Sequence, residues 1–280
     1  MTFSIIVVCL NAGQKLRRTI ESIQKQTWQD YEIIIKDGVS TDQDTVRCLR
    51  ELERESEADS RIRLYRGEKD SGIYDAMNQA VKYIKGDYVF FLNCGDYFYD
   101  DQVLSRVREQ IEKYTGDAES ADKTPYIFYG NICERLTGTM VQSNPVIDDF
   151  ACYRNLPCHQ ACFYAANLLR KGGFDTQYRV RADYEHFLRC YYRNGANPVY
   201  IPVTVALYEG GGFSETGENK RRSRQEHREI VSKYMPAGKV FRYRIIMILT
   251  LAPLRTWIAG NPVTAGLYQR LKRILYRVKV

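Results

Sequence analysis

Short runs of β-branched residues alternate with amphipathic segments through the first 92 residues, and this alternation limits the possible folds most strongly. Four apolar runs predict strands, at 4–9, 32–36, 62–65 and 88–92. Three intervening segments have helical spacing, at 16–25, 45–57 and 74–84. Such alternation is typical of βαβ units. The sequence therefore predicts an α/β fold with a mainly parallel, Rossmann-like sheet flanked by helices.

Beyond residue 129 the pattern is weaker. It predicts a helix at 183–193 and a strand at 198–207. The glycines at 210–212 then predict a loop between a body and a C-terminal tail.

Polar residues follow three of the predicted strands. Asn11, Asp37 and residues 93–96 come directly after apolar runs. Ligands of parallel sheets bind beyond the carboxyl ends of the strands, so we expect a ligand site there. The sequence contains neither the glycine fingerprint of dinucleotide-binding proteins after its first strand nor a P-loop. A simple dehydrogenase or a P-loop enzyme is therefore disfavoured.

Positive charge is concentrated at the end of the chain. Residues 220–280 contain 15 Lys and Arg against two acids, Glu226 and Glu229, whereas residues 1–219 have a net charge of −6. Basic and apolar residues are interleaved there, which predicts amphipathic helices that contact an anionic membrane rather than nucleic acid. A helical hairpin packed on the body is the alternative.

The sequence also indicates a compartment. The apolar run at 245–254 is shorter than the roughly 20 residues that cross a bilayer. No basic segment precedes the first apolar run and no small-residue cleavage site follows it, so we expect no export signal. The eight cysteines are then reduced thiols. We expect a cytoplasmic protein, peripheral at the inner face of the membrane.

Several motifs occur in a fixed order. Residues 4–11 read SIIVVCLN, 32–38 EIIIKDG, 70–78 DSGIYDAMN, 91–96 FLNCGD and 181–189 RADYEHFLR. Together they resemble the family 2 glycosyltransferases of the GT-A fold, most closely those of bacterial exopolysaccharide, O-antigen and colanic-acid synthesis. The resemblance implies a catalytic domain at 1–219, with a nucleotide-sugar half at 1–96 and an acceptor half at 97–219, before the helical tail at 220–280.

The resemblance also implies a donor site. The residues that match its nucleotide-binding positions are Cys9, Asn11, Asp37, Gly38, Asp70 and Asn78. Asp37 matches the carboxylate that contacts the base. Residues 8–11 read VCLN where the family usually has Pro-Thr-Tyr-Asn, which removes two hydroxyl groups and leaves the choice of base open.

Asp96 matches the metal-binding position of the family. A hard ion such as Mn²⁺ or Mg²⁺ can take its remaining oxygen ligands from a diphosphate and water. Asn93 stands where the family has a second carboxylate, which predicts weak metal affinity without nucleotide.

Asp183 matches the catalytic base, with Ala182 in place of the usual Glu, and Glu185 and His186 are nearby substitutes for that role. Asp183 could instead cap the following helix. His159 and Gln160 match a segment on the acceptor side. Cys152, Cys158, His159 and Cys162 could also bind zinc, but their spacing lacks a paired C-x-x-C, and small apolar core positions suit the thiols better.

These observations predict an inverting, metal-dependent enzyme. It would move a sugar from a nucleotide-sugar donor to a glycan or lipid-linked glycan in cell-surface polysaccharide synthesis. Two other hypotheses stay open. One is a non-catalytic nucleotide- or glycan-binding module of the same fold. The other is a nucleotidyltransferase, but the residues after the first strand match the phosphate loop of such enzymes poorly.

Overall fold

A computed structural model of the chain describes residues 1–116, 124–209 and 217–250. The chain divides into two compact units, Met1–Ile230 and Val231–Val280, and the second is described as far as residue 250. The predicted glycine loop at 210–212 and the tail beyond residue 250 lie outside the described residues.

The first part of the chain folds as the alternation predicts. Its elements are β1 (Phe3–Cys9), α1 (Gln14–Gln24), β2 (Tyr31–Asp37), α2 (Gln43–Ala58), β3 (Ile62–Tyr65), α3 (Ile73–Val81) and β4 (Tyr88–Phe91). Every residue of β1 and β2 is buried. Strands covered on both faces are rich in apolar residues, which is why 5–8 in β1 and 33–35 in β2 are unbroken apolar runs.

The second part mixes short strands and short helices. Its elements are β5 (Tyr97–Phe98), α4 (Val103–Thr115), β6 (Tyr126–Glu134), β7 (Thr139–Val141), α5 (Asp149–Arg154), a 3₁₀ turn (His159–Ala161), β8 (Cys162–Ala165), α6 (Ala166–Arg170), α7 (Ala182–Arg193) and β9 (Asn197–Tyr208). Two helices follow, α8 (Gly217–Tyr234) and α9 (Ala237–Leu249). Among residues 1–116, 124–209 and 217–250, no helix has the length and apolarity to cross a bilayer.

The described strands form one sheet in the order β3-β2-β1-β4-β8-β6-β9-β5, with β7 paired to β6. The long ladders β1–β2 and β6–β9 are parallel, whereas β8 runs antiparallel to both β4 and β6. The predicted α/β fold, a sheet flanked by helices with helices at the C-terminal end, is therefore confirmed.

The strand order determines which loops meet. Strands β2, β1 and β4 are neighbours, so the residues after them share one edge of the sheet. Because β8 is antiparallel to β4, the turn His159–Ala161 before β8 lies at the end of β4, beside residues 93–96. Strand β5 is antiparallel to β9, with Tyr97 opposite Leu207, which brings Glu209 to the same edge.

Candidate active site

The first group of predicted residues lies at the ends of β1 and β2, beside the loop that follows β2. Asp37 is 3% exposed and accepts hydrogen bonds from the backbone N–H of Ser40 at 3.1 Å and from its hydroxyl at 2.6 Å. The thiol of Cys9 donates to the same carboxylate at 3.7 Å. Asn11 has a φ of 49°, and its Oδ1 accepts from the N–H of Thr41 at 2.9 Å. Cys9, Asn11 and Asp37 therefore meet at one loop.

Gly38 and Asp70 approach closely beside this loop. A Cβ atom on Gly38 would clash with Oδ2 of Asp70 unless the Asp70 side chain moved, so the glycine leaves room for this approach. The buried Lys36 ties the two loops together, because its Nζ donates to the carbonyl oxygens of Asp37 at 2.8 Å and Glu68 at 2.6 Å. Five of the six predicted donor residues thus lie together.

Asn78 has a different set of contacts. Its Nδ2 donates to the carbonyl oxygen of Phe174 at 2.8 Å, and its Oδ1 accepts from the N–H of Phe174 at 2.7 Å. The amide therefore holds the chain segment that leads to α7. A donor-binding role for Asn78 stays a prediction.

Asp96 is a buried carboxylate, 5% exposed, with two donors from the second part of the chain. Its Oδ2 accepts from Nε2 of Gln160 at 2.9 Å, and its Oδ1 accepts from the backbone N–H of Glu209 at 3.0 Å. Burial raises the pKa of Asp96 although both hydrogen bonds oppose the shift. A cation bound to Asp96 would offset this cost.

The surroundings of Asp96 fit a divalent ion that is held partly by substrate. Within the described ranges, no three His, Cys, Asp or Glu side chains converge as a metal-binding group. The Oδ1 atom of Asn93 is buried, and no described residue makes a hydrogen bond to it. One carboxylate and one unpartnered amide oxygen suit Mn²⁺ or Mg²⁺, which complete their shells with phosphate oxygens and water.

Asp183 is the second residue of α7, and Arg181 occupies the N-cap position, so Asp183 is not the helix cap. Its Oδ2 lies 3.3 Å from Nδ1 of His159. Its Oδ1 accepts from the hydroxyl of Tyr74 at 3.0 Å and from the N–H of Tyr184 at 2.8 Å. Burial alone would raise the pKa of Asp183, but His159, Tyr184 and Tyr74 together lower it. The side chain stays 29% exposed, so a substrate can reach it.

His159 also contacts Asn93, whose Nδ2 lies 3.0 Å from Nε2 of the imidazole. With Nε2 accepting from Asn93, the imidazole proton is on Nδ1 and points to Asp183. His159 and Gln160 are consecutive, so one residue pair contacts both Asp183 and Asp96. The residues predicted for the acceptor side therefore stand between the metal and base candidates.

Glu185, His186 and the cysteines near His159 have different environments. Glu185 and His186 are fully buried, and burial lowers the pKa of His186 to about 3. A neutral, enclosed imidazole cannot reach an acceptor hydroxyl. Cys152 and Cys162 are buried free thiols, and His159 is already bonded to Asn93 and Asp183. The thiols therefore match the expected small core positions.

Three residues of this region were not predicted from the sequence. Tyr74 lies within the motif at 70–78, and nothing else in the sequence indicates a role for it in the site. Glu209 bridges Lys15 at 2.7 Å and Arg135 at 2.9 Å, but belongs to no motif. Glu226 is a buried acid within the basic tail, and this contrast of charge could have identified it.

Sequence comparison places this chain among glycosyltransferases. The model of "Glycosyl transferase family 2" matches residues 4–163. A "PGL/p-HBAD biosynthesis glycosyltransferase" of Mycobacterium bovis is 33% identical over 259 residues, covering 91% of this chain and 90% of the relative. The Escherichia coli "UDP-Glc:alpha-D-GlcNAc-diphosphoundecaprenol beta-1,3-glucosyltransferase WfaP" is 31% identical over 205 residues, covering 64% of this chain and 77% of that protein.

Solved structures share the fold. S. aureus TarS in complex with UDP-GlcNAc has a TM-score of 0.61 at 16% identity, covering 84% of this chain and 71% of TarS. The mannosyltransferase PcManGT from Pyrobaculum calidifontis, in complex with GDP-Man and Mn²⁺, has a TM-score of 0.61 at 15% identity, covering 97% of this chain and 79% of PcManGT. At such identities the likeness establishes the fold alone.

Proposed function

This chain belongs to glycosyl transferase family 2. We propose that it transfers the sugar of a nucleoside diphosphate sugar to a hydroxyl group of a cell-surface glycan, with inversion at the anomeric carbon. We base this chiefly on one observation: the adjacent His159 and Gln160 join a base candidate, Asp183, to a metal candidate, Asp96. Sugar transfer needs both functions, a base for the acceptor and positive charge for the leaving diphosphate.

The relatives support the substrate classes. One is named for PGL/p-HBAD biosynthesis and another for glucose transfer from UDP-Glc to a diphosphoundecaprenol-linked sugar. TarS was solved with UDP-GlcNAc. We therefore propose a nucleotide-sugar donor and a lipid-linked glycan acceptor.

Asp37, Gly38 and Asp70 would bind the nucleoside. The carboxylate of Asp37 is held by Ser40 and can accept further hydrogen bonds from a base. The close approach of Gly38 and Asp70 places a second carboxylate beside the first. Carboxylates at this edge of the sheet can accept hydrogen bonds from the base and the ribose of a nucleotide, whereas they would repel its phosphates.

Asp183 would remove the proton of the acceptor hydroxyl. As the acceptor oxygen bonds to the anomeric carbon, its proton passes to the carboxylate, and the electron pair of the broken C–O bond leaves with the diphosphate. The lowered pKa of Asp183 keeps this carboxylate ionised at neutral pH. An oxocarbenium-like transition state makes the attacking hydroxyl more acidic, so a weak base is sufficient.

Asp96 and Asn93 would hold Mn²⁺ or Mg²⁺ together with the donor. When bound, the ion offsets the charge of the leaving diphosphate. Gln160 and the N–H of Glu209 fix the Asp96 carboxylate by hydrogen bonds. The Mn²⁺ complex of PcManGT supports this proposal.

The C-terminal helices would bring the enzyme to its lipid-linked acceptor. Helix α9 exposes Phe241, Ile248 and Leu249, at 67%, 57% and 75%, and also carries Arg242 and Arg244. Exposed apolar residues among basic ones suit the surface of an anionic membrane. We propose a cytoplasmic location, peripheral at the inner face of the membrane.

Calorimetry tests the donor site. UDP, GDP, dTDP and CMP are titrated into the protein with and without Mn²⁺. We expect one diphosphate to bind more tightly with Mn²⁺, and Asp96→Ala to abolish that gain. Asp101→Ala, which removes an exposed carboxylate, is the control. If no nucleotide binds, the proposal is wrong. If a nucleotide binds but no sugar is transferred to any lipid-linked acceptor, a non-catalytic module is favoured.

A further inference from the structure

Glu226 is a buried acid in the basic helix α8. Its carboxylate is 4% exposed and accepts from the backbone N–H groups of Arg179, Val180 and Arg181, each at 2.9 Å. The guanidinium Nε of Arg222, one turn earlier in α8, donates to the same carboxylate at 2.9 Å. A single side chain therefore satisfies three consecutive backbone donors.

These three residues form the turn directly before α7, and Asp183 follows two positions later. Arg181 occupies the N-cap position of α7 but makes no side-chain cap hydrogen bond. Its guanidinium Nε instead donates to the hydroxyl of Ser223 at 2.8 Å and to the carbonyl oxygen of Ser223 at 3.0 Å. Helix α8 thus holds the start of α7 from outside that helix.

The turn and the Asp183 carboxylate are further connected through Tyr74. Its hydroxyl lies 3.1 Å from the carbonyl oxygen of Val180 and 3.0 Å from Oδ1 of Asp183. Movement of the turn would therefore move both the start of α7 and the donors around Asp183. A buried carboxylate costs free energy by desolvation, and the hydrogen bonds to it offset that cost only while the turn keeps its conformation.

We propose that Glu226 is a positioning residue: by holding residues 179–181, it orients Asp183 toward His159 and the acceptor. This inference rests on the proposed function, in which Asp183 is the base. It gives α8 a second role besides its basic charge. The hydrogen bonds of Glu226 are to residues 179–181 and Arg222, so it would act on Asp183 through the turn.

The test compares the two acids of the basic tail. Glu226→Gln keeps the size of the side chain but turns an NH₂ group toward backbone donors. We expect kcat to fall about 10- to 100-fold, with unchanged donor KM and unchanged affinity for the nucleoside diphosphate, because only orientation at the base is lost. Hydrogen exchange at the amides of 179–181 should become faster. Glu229→Gln is the matched control, since Glu229 is exposed on the same helix and should behave as wild type.

Glu226→Asp is the conservative variant. It restores the charge on a side chain one methylene shorter, so its kcat should lie between those of wild type and Glu226→Gln. Wild-type kcat in Glu226→Gln despite faster exchange at 179–181 would overturn the proposal. If Glu226→Gln does not fold, the Asp variant decides: a lower kcat with intact nucleotide binding supports positioning, and an unchanged kcat contradicts it.

Failure of the proposed function has a different signature. If the wild type transfers sugar and Asp183→Asn does so equally well, the base assignment is wrong whatever Glu226→Gln does. If Asp183→Asn is inactive and Glu226→Gln is fully active, only the positioning role is wrong.

Discussion

The two parts of the chain hold their polar residues by different means. In the first part, Asp37 and Asn11 lie at the ends of neighbouring parallel strands and are held by the loop at 38–42. In the second part, Asp183 is held by His159 and Tyr74, which come from distant parts of the chain. Under the proposed function, the first arrangement would bind the nucleoside and the second would orient the base. Substitutions in the first part should therefore change donor affinity, and substitutions around Asp183 should change turnover.

The largest expected effect is that of Asp183→Asn. The amide cannot accept the acceptor proton, so kcat should fall about 10²- to 10⁴-fold, the usual contribution of a general base. Donor affinity should stay unchanged, because Asp183 lies outside the group around Asp37. Initial rates of sugar transfer and nucleotide titration measure the two quantities. Asp175→Asn, in the segment before α7, is the control, and a parallel loss of donor affinity would contradict the division between the two parts.

His159→Ala should have the next largest effect, with a shift in pH dependence. The pKa of Asp183 is lowered overall: burial alone would raise it, and the contact with His159 is the strongest of the influences that lower it. Without His159 the pKa should rise, so the carboxylate becomes protonated at a higher pH as the solution is acidified. We expect kcat at neutral pH to fall about 10-fold, since one hydrogen bond to a charged group is lost.

The profile of kcat against pH checks this prediction. Its acidic limb should move to higher pH in His159→Ala. An unmoved limb with a lower kcat would mean that His159 shapes the site without influencing the ionisation of Asp183. Thermal unfolding at each pH separates loss of activity from loss of folded enzyme.

Asp37→Asn should alter binding instead. The change removes the charge and turns an NH₂ group toward Ser40 or toward the nucleotide. We expect donor affinity to fall about 10-fold, the cost of one hydrogen bond to a charged group, and kcat at saturating donor to change little. Calorimetry of the preferred diphosphate measures the affinity. A loss of kcat alone would break the comparison, because Asp37 would then act on the reaction and not on binding.

The two parts also differ in how well the sequence predicts them. The bounds of β1 to β4 agree with the predicted runs within one residue. In β1, β2 and β4 the apolar residues at the centre of each run are consecutive and buried, which makes the pattern strong. Strand β9 and helix α7 also agree with their predicted bounds within one residue. Helix α4 and the short strands β5, β7 and β8 were not predicted. Strands of two to four residues carry too little pattern, and their pairing with β4, β6 and β9 stabilises them.

The candidate site shows the same limit. Asp37 and Asp96 could be found because each follows a buried strand, and parallel neighbours bring strand ends together. The contact between Gln160 and Asp96 depends on β8 running antiparallel to β4, which no local pattern predicts. The burial of Glu226 likewise depends on where α8 packs. Long-range packing therefore determines the surroundings of the Asp96 and Glu226 carboxylates.

Tyr74→Phe has the smallest expected effect and tests the comparison most directly. Tyr74 lies four residues after Asp70, within the predicted nucleotide-sugar half at 1–96, but its hydroxyl contacts Asp183. Burial and the nearby charge of Asp183 raise the Tyr74 pKa well above its ordinary value, so the hydroxyl stays protonated and donates. Its loss should lower kcat about 2- to 10-fold, the net contribution of one hydrogen bond, and leave donor KM unchanged. A raised donor KM with wild-type kcat would mean that Tyr74 acts in donor binding, as its position in the sequence predicts, and not through its contact with Asp183.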